Sequence, residues 1–232
     1  MQAVILAGGL GTRMLPRTER VPKSLLPVLG RPFVAWQLDR LVAAGFARVT
    51  LCIGHLGGAV REAVGDGAAF GLSVDYSEDG PVLLGTAGAL RRAGPLLEES
   101  FLVTYGDSYL PFDLGLPLRD LGAHPAALGT MTVYENRGRW GSSNTAIRGD
   151  QVAVYDKTGG SAALDHIDYG ALALRRSVIE AVPAGQPWGL DVVQADLARR
   201  GVLRALVARE RFYEIGSPEG LRDLECHLGG ST

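Results

Sequence analysis

The sequence has only two cysteines in 232 residues, Cys52 and Cys226. A disulfide framework needs more, and neither cysteine has the spacing of a zinc site. Cys52 sits in the apolar run Leu51-Cys52-Ile53 and reads as a small core residue. No apolar stretch approaches the roughly 20 residues that cross a bilayer. The start, Met1-Gln2-Ala3-Val4-Ile5-Leu6, lacks the charged region and the longer apolar region of a signal peptide, so the chain is expected to stay in the cytoplasm. The formal net charge is −2, with no basic stripe. That argues against a nucleic-acid partner and against a polybasic membrane anchor. The four histidines lack ligand spacing, and no Ser–His–Asp order or Cys–His pair points to a covalent nucleophile. There is no internal repeat and no low-complexity segment.

What remains is an ordinary globular composition, 47% hydrophobic and 21% charged. A chain of this size buries roughly 70–75% of its unfolded surface, enough for one sizeable core. One domain over residues 1–232 is expected, with a change of texture near residue 135 rather than a linker. In the first half strands and helices alternate. Strands are read at 2–7, 48–53, 73–77 and 101–105. Helices are read at 32–44, closed by Gly45, at 56–64, and from a Thr86 cap to about residue 93. Such alternation predicts right-handed βαβ units, hence a Rossmann-like three-layer α/β/α domain with a mostly parallel sheet. The second half reads as strands at 127–134, 144–148, 151–156 and 169–174, suggesting hairpins and a small antiparallel extension over the site. Helical signals return at 177–182, 191–199 and 218–227. In parallel sheets ligands bind beyond the carboxyl ends of the strands. Two segments leave strands there, residues 8–13 and Gly106-Asp107.

The strongest local pattern is Leu6-Ala7-Gly8-Gly9-Leu10-Gly11-Thr12-Arg13. Glycines at 8, 9 and 11 let the backbone turn tightly, and successive main-chain N–H groups in such a turn form an anion-binding concavity. Arg13 adds a planar fork suited to phosphate oxygens. This is not a P-loop, because no Lys-Ser or Lys-Thr follows at the required spacing. It is not a dinucleotide fingerprint either, since Met14 stands where a third glycine belongs. Ten residues on, Pro22 and Pro27 stiffen the segment around Lys23, a plausible second phosphate contact. Asp107 ends an apolar strand near this loop. It is either a turn-forming aspartate or a ligand for Mg²⁺, which takes one or two carboxylates and fills its shell with phosphate and water.

The run from Leu6 to Val28 resembles the signature of the sugar-phosphate nucleotidyltransferases, G-G-x-G-T-R followed by P-K-x-L-L-P-V. The resemblance implies nucleotide contacts from Leu6, Ala7, Gly8, Gly9, Gly11 and Thr12. It gives Arg13 the triphosphate and leaving pyrophosphate, and Lys23 the reacting phosphates. It makes Asp107 a metal ligand. In Tyr213-Glu214-Ile215-Gly216-Ser217 it puts Glu214 where the family usually has an aspartate completing the metal site, a departure of one methylene. The segment Leu84-Gly85-Thr86-Ala87-Gly88 resembles the nucleobase segment, which implies contacts from Gly85 and Thr86; read on its own it is equally a packed helix start. Lys157, after Tyr155-Asp156, is implied to reach the sugar phosphate, although a turn lysine reads the same way. Gly170 is implied to let the sugar approach the backbone. Tyr169 is either a sugar contact or core, and Asn144 either a hydroxyl contact or a turn residue. Trp140 and Trp188 are isolated; either could shape the sugar pocket or simply pack.

The implied reaction is attack by a sugar 1-phosphate on the α-phosphate of an NTP. A phosphate monoester has a second pKa of about 6 and is already ionised at pH 7, so no general base is needed. At 232 residues there is no room for the C-terminal β-helix of longer relatives. The stretch from Trp140 to Gly170, with residues 214–220, looks most like heptose or mannose 1-phosphate guanylyltransferases, which implies GTP. The resemblance is compatible with a homodimer. Two other readings compete. A glycosyltransferase of related fold would carry Asp-x-Asp where this chain has Asp107-Ser108-Tyr109. A sensor without catalysis is encouraged only by Glu214.

Overall fold

The computed structural model describes residues 1–158, 160 and 164–230. In chain order its strands are β1 (Gln2–Leu6), β2 (Pro27–Val28), β3 (Arg31–Pro32), β4 (Arg48–Ile53), β5 (Ser73–Glu78), β6 (Ser100–Tyr105), β7 (Ser108–Tyr109), β8 (Gly129–Glu135), β9 (Thr145–Arg148), β10 (Gln151–Tyr155), β11 (His166–Arg175), β12 (Leu203–Ala208) and β13 (Tyr213–Glu214). Its helices are α1 (Phe33–Ala43), α2 (Gly57–Val64), α3 (Gly85–Ala93), α4 (Leu116–Ala123), α5 (Arg176–Glu180), α6 (Leu190–Arg199) and α7 (Pro218–Leu228).

Nine strands form one sheet in the order β5-β4-β1-β6-β11-β8-β12-β10-β9. β5, β4, β1 and β6 run parallel; β11 runs against both β6 and β8, and β12 lies parallel to β8. Strands β1, β4, β5, β6, β8 and β12 therefore deliver their carboxyl ends to one edge, and the amino end of β11 joins them there. Successive residues point to opposite faces. In β1, Val4 enters the apolar cluster beneath α3, α5 and α6, while Ala3 and Ile5 enter the one beneath α1 and α2. The result is the three-layer α/β/α arrangement expected.

Helix signals translate into observed ends. Gly45 follows α1 at φ 83°, with its N–H on the Val42 carbonyl and that of Phe46 on the Leu41 carbonyl. That pair of bonds closes the helix in the manner glycine permits. The second half departs from expectation. Its strands do not lie over the site as a separate extension; β8, β11 and β12 continue the main sheet, and only the β9–β10 hairpin forms an antiparallel margin. β12 escapes a sequence reading because Arg204 interrupts its apolar run. That arginine is 9% exposed and held by Asp120 and Asp150, each at 2.8 Å. α4 is obscured by its own Pro117 and Gly122. No helix among the described residues is long and apolar enough to cross a membrane.

Candidate active site

The carboxyl edge of the sheet opens into a cleft of about 270 Å³, lined by residues of the 6–11 loop together with Lys23, Ser24, Asp79, Gly85, Thr86, Tyr105 and Asp107. The loop after β1 is the floor. The main-chain N–H of Ala7 still donates to Cys52, but those of Gly8, Gly9, Leu10 and Gly11 meet no acceptor among the described residues. Gly11 sits at φ 64°, and Thr18 Oγ donates to its carbonyl at 2.8 Å, fixing the turn. Free N–H groups on a fixed turn are a concavity for anions.

β6 ends hard against this floor. The N–H of Gly106 donates to the Leu6 carbonyl at 2.9 Å, and a Cβ on Gly106 would stand 2.9 Å from Ala7 Cα. Glycine is required there, and the close approach brings Asp107 beside the loop. Lys23 opens a short 3₁₀ turn after Pro22, and its Nζ lies 2.9 Å from Asp107 Oδ2. The other carboxylate arrives by backbone pairing. β13 runs antiparallel to β7 with Glu214 opposite Ser108, and the Ile215 N–H donates to the Asp107 carbonyl at 2.9 Å. Arg13 reaches across to the same strand end, where a Cβ on Gly216 would meet its Nη2 at 3.2 Å. Glu214 is exposed at the surface, yet the protein around its carboxyl desolvates it and pushes it up. Asp107 adds to the rise, and Arg13 and Lys23 oppose it. Two cations and two carboxylates predicted from distant parts of the sequence thus meet around one anion-binding loop.

Other predicted residues fare differently. Thr86 does not cap its own helix; its hydroxyl accepts from the Leu190 N–H at 2.7 Å and so serves the start of α6. Gly85 lies on the cleft wall at φ 68°, where a Cβ would meet the Trp188 carbonyl oxygen at 2.8 Å. The Tyr169 ring is core, not a sugar contact. It is 1% exposed and sits edge-on to Phe112 and Phe212, because alternation along β11 turns it away from Asp168. Asn144 is a structural tie, its Oδ1 accepting from the Asp168 N–H at 2.8 Å and from the Thr145 hydroxyl at 2.9 Å. Gly170, at φ 89°, packs toward Ser108 and Tyr105, where a Cβ would stand 3.5 Å from each. Lys157 is 67% exposed, with Nζ 3.7 Å from Asp191.

Sequence reading missed Asp79 and Cys52, which line the cleft, and Asp168, close to Tyr105 of its lining. Asp79 is 7% exposed and follows β5, so it stands at a strand's carboxyl end by the same rule that singles out Asp107. Its Oδ2 accepts from the Leu84 N–H at 3.2 Å and faces Gly8. Burial pushes its carboxyl up, against the Leu84 hydrogen bond and the Arg92 charge. Asp168 lies at the inner end of β11 and accepts from Gly170 N and Gln194 Nε2, each at 2.9 Å. Cys52 lines the cleft too, but burial, with Asp79 nearby, pushes its thiol up to about 12, so it stays protonated and is no nucleophile.

These groups can neutralise and align a chain of phosphates. The model of the Nucleotidyl transferase family matches residues 2–142. The chain belongs to that family. It is 43% identical over 114 residues to N-acetylmuramate alpha-1-phosphate uridylyltransferase of Neisseria meningitidis, covering 49% of each chain. It is 33% identical over 190 residues to mannose-1-phosphate guanylyltransferase of Mycobacterium tuberculosis, covering 80% of this chain and 52% of that one. The chain thus spans about half the length of these curated relatives. Its fold is similar to that of HddC from Yersinia pseudotuberculosis complexed with GMP-PN, with a TM-score of 0.79, 24% identity and 99% of each chain covered.

Proposed function

We propose that the protein joins GTP to a manno-configured hexose or heptose 1-phosphate, releasing pyrophosphate and an NDP-sugar. The observation that carries the reaction class is the meeting of Arg13, Lys23, Asp107 and Glu214 around the free N–H groups of the 8–11 loop. Family membership and the guanylyltransferase and uridylyltransferase relatives support the same class. Both relatives transfer nucleotides, and the choice of guanine rests on Asp79. A nearly buried carboxylate that lines the cleft accepts hydrogen bonds only, which suits the amine and N1–H of guanine. Residues 1–135 then hold the nucleotide and 136–232 the sugar phosphate, within one domain.

The donor set fits a magnesium ion. No group of three or more His, Cys, Asp or Glu gathers as a cation cage among the described residues. Mg²⁺ needs none, because one or two carboxylates suffice when phosphates and water complete the shell. Asp107 and Glu214 would hold it, and when bound it supplies charge neutralisation at the phosphates. The protein's own groups do the rest. The N–H groups of the loop and the Arg13 fork hold the β- and γ-phosphates. Lys23 leaves Asp107 for the α-phosphate as that charge arrives. Lys157, on the far side, receives the incoming phosphate. Gly85 forms the wall beside the base. No side chain need take a proton, since the attacking phosphate is already ionised. Catalysis is therefore positioning and electrostatics.

Pyrophosphate release with Mg²⁺, each of five NTPs and a panel of hexose and heptose 1-phosphates tests this. Release that requires both substrates, fastest with GTP, is expected. Arg13→Ala should lower the rate about 10²-fold, as loss of a charge stabiliser does. A change within threefold of wild type, or no release from folded protein with any pair, would refute the assignment.

A further inference from the structure

Beyond the cleft, one cation and four rings are stacked in a row. The Arg211 guanidinium lies over two rings, that of Trp140, whose centroid is 3.6 Å from Cζ, and that of Tyr213, at 4.4 Å. Tyr213 stacks in turn on His227, with centroids 4.4 Å apart and planes 20° apart, and His227 meets Tyr109 edge-on at 6.0 Å. Arg211 Nη2 donates to Asp223 Oδ2 at 3.0 Å and its Nε to the Phe212 carbonyl at 3.3 Å. With two rings against it and these N–H groups engaged, the guanidinium is a fastener rather than a ligand. A planar, delocalised cation suits such a slot, and an ammonium does not.

The row joins parts of the chain that matter to the site. Tyr213 precedes Glu214, and Tyr109 pairs with Tyr213 across β7 and β13, next to Asp107. Trp140 belongs to the loop leaving the carboxyl end of β8, on the same edge of the sheet as the cleft. Inside that loop, buried Asn136 takes the Trp140 N–H on Oδ1 at 2.9 Å and gives Nδ2 to the Gly141 carbonyl at 2.8 Å. The loop ends at Asn144, tied to Asp168, whose Oδ1 in turn holds the Gly170 N–H. The loop is therefore anchored twice to the surroundings of Asp107 and Glu214: through Asn144, Asp168 and Gly170, and through Trp140 and Arg211.

We propose that Arg211 is a positioning residue for the second substrate: by clamping Trp140 it holds the 136–144 loop as a wall of the sugar-phosphate side. This deepens the transferase reading and rests on it. Arg211 touches neither the 8–11 loop nor Lys23, so the NTP side should not depend on it.

The test compares Arg211→Ala, Arg211→Lys, Trp140→Ala and the Arg211→Ala/Trp140→Ala pair with wild type, using steady-state kinetics with GTP and mannose 1-phosphate. Each single variant should raise KM for the sugar phosphate about tenfold, the scale of a partly covered cation–π contact, while KM for GTP stays within about twofold. Arg211→Lys should rescue little, and the pair should be no worse than either single variant, as for two ends of one contact. Tryptophan emission without substrate should shift in Arg211→Ala but not in Arg211→Ala made on a Trp140→Phe background. Equal rises in both KM values, additive losses, or unchanged sugar-phosphate KM would overturn the proposal. Wild-type protein that joins no pair would defeat the transferase reading, and the clamp would then be judged by calorimetric titration of mannose 1-phosphate. Binding by wild type weakened about tenfold in Arg211→Ala would support it. Equal binding, or none by wild type, would overturn it.

Discussion

Replacing Asp79 by Asn should change which base the protein accepts. The carboxylate lines the cleft and accepts the Leu84 N–H on Oδ2, the oxygen that also faces Gly8. In the variant the amide oxygen keeps the Leu84 bond, because only oxygen can accept it, and an NH₂ donor replaces the second acceptor proposed to meet the base. A donor then stands where guanine presents its own donors. The loss combines one charge-assisted hydrogen bond, about 1.5–3 kcal/mol, with the cost of opposing two donors in a nearly closed place. Together these predict a fall in kcat/KM for GTP of roughly 10²–10³-fold. Xanthosine triphosphate carries a carbonyl where guanine carries the amine, so the same variant should gain activity with it. Pyrophosphate release with the two nucleotides, at fixed mannose 1-phosphate, gives the ratio directly. The pH dependence supplies a second sign. Burial raises the Asp79 carboxyl, so the ion proposed to read guanine is lost as pH falls through a value above the ordinary aspartate pKa of about 3.9. KM for GTP should therefore climb on the acid side in wild type and stay flatter in Asp79→Asn. A variant that lost GTP and xanthosine triphosphate equally would refute base reading and leave Asp79 as a support for Leu84.

Lys23→Ala should lower kcat by about 10²-fold, measured by pyrophosphate release. The ion pair it removes is partly open to solvent and contributes less than about 1 kcal/mol, so the urea midpoint should hardly move. Gly106→Ala should cost about 1–3 kcal/mol in urea unfolding, because a methyl group 2.9 Å from Ala7 Cα forces β1 and β6 apart at the floor of the cleft. Arg204→Leu should cost about 1–3 kcal/mol at pH 7 by leaving the half-buried Asp120 without its charged partner. Burial pushes the Asp120 carboxyl up, but the Arg204 and Thr130 hydrogen bonds outweigh it and hold it below the usual range. The stabilisation is then complete above the unfolded pKa of about 4 and lost as pH falls through the lower folded value, so the gap between wild type and Arg204→Leu should close in acid.

Chemistry was legible in this sequence where it is held by consecutive residues, and obscure where it is assembled by topology. Residues 8–13 carry their meaning locally, since glycine spacing dictates a tight turn and a tight turn dictates exposed N–H groups. Asp107 could be singled out because the end of an apolar strand beside a glycine is itself a local pattern. Glu214 came only through resemblance: what brings it to Asp107 is the pairing of two-residue strands about a hundred positions apart, and so short a pairing leaves no periodicity to read. Asp79 obeys the strand-end rule, yet it sits in Ser77-Glu78-Asp79-Gly80, where a turn explains the same letters equally well. The Tyr169 ring shows the converse. Its identity suits a sugar face, but the parity of β11 sends it to the core and gives the inward place to Asp168. Parity is fixed by register against β6 and β8, and the register of β11 shifts between Asp168 and Leu172, beside Gly170. A sequence pattern of period two cannot be carried across that irregularity. The Arg211 stack lies furthest from legibility, because its members come from two loops, two strand segments and a helix end that only the completed sheet brings together. On the proposed function, specificity for the sugar should therefore reside in contacts of this assembled kind, whereas the loop contacts to phosphate would reside in contiguous residues.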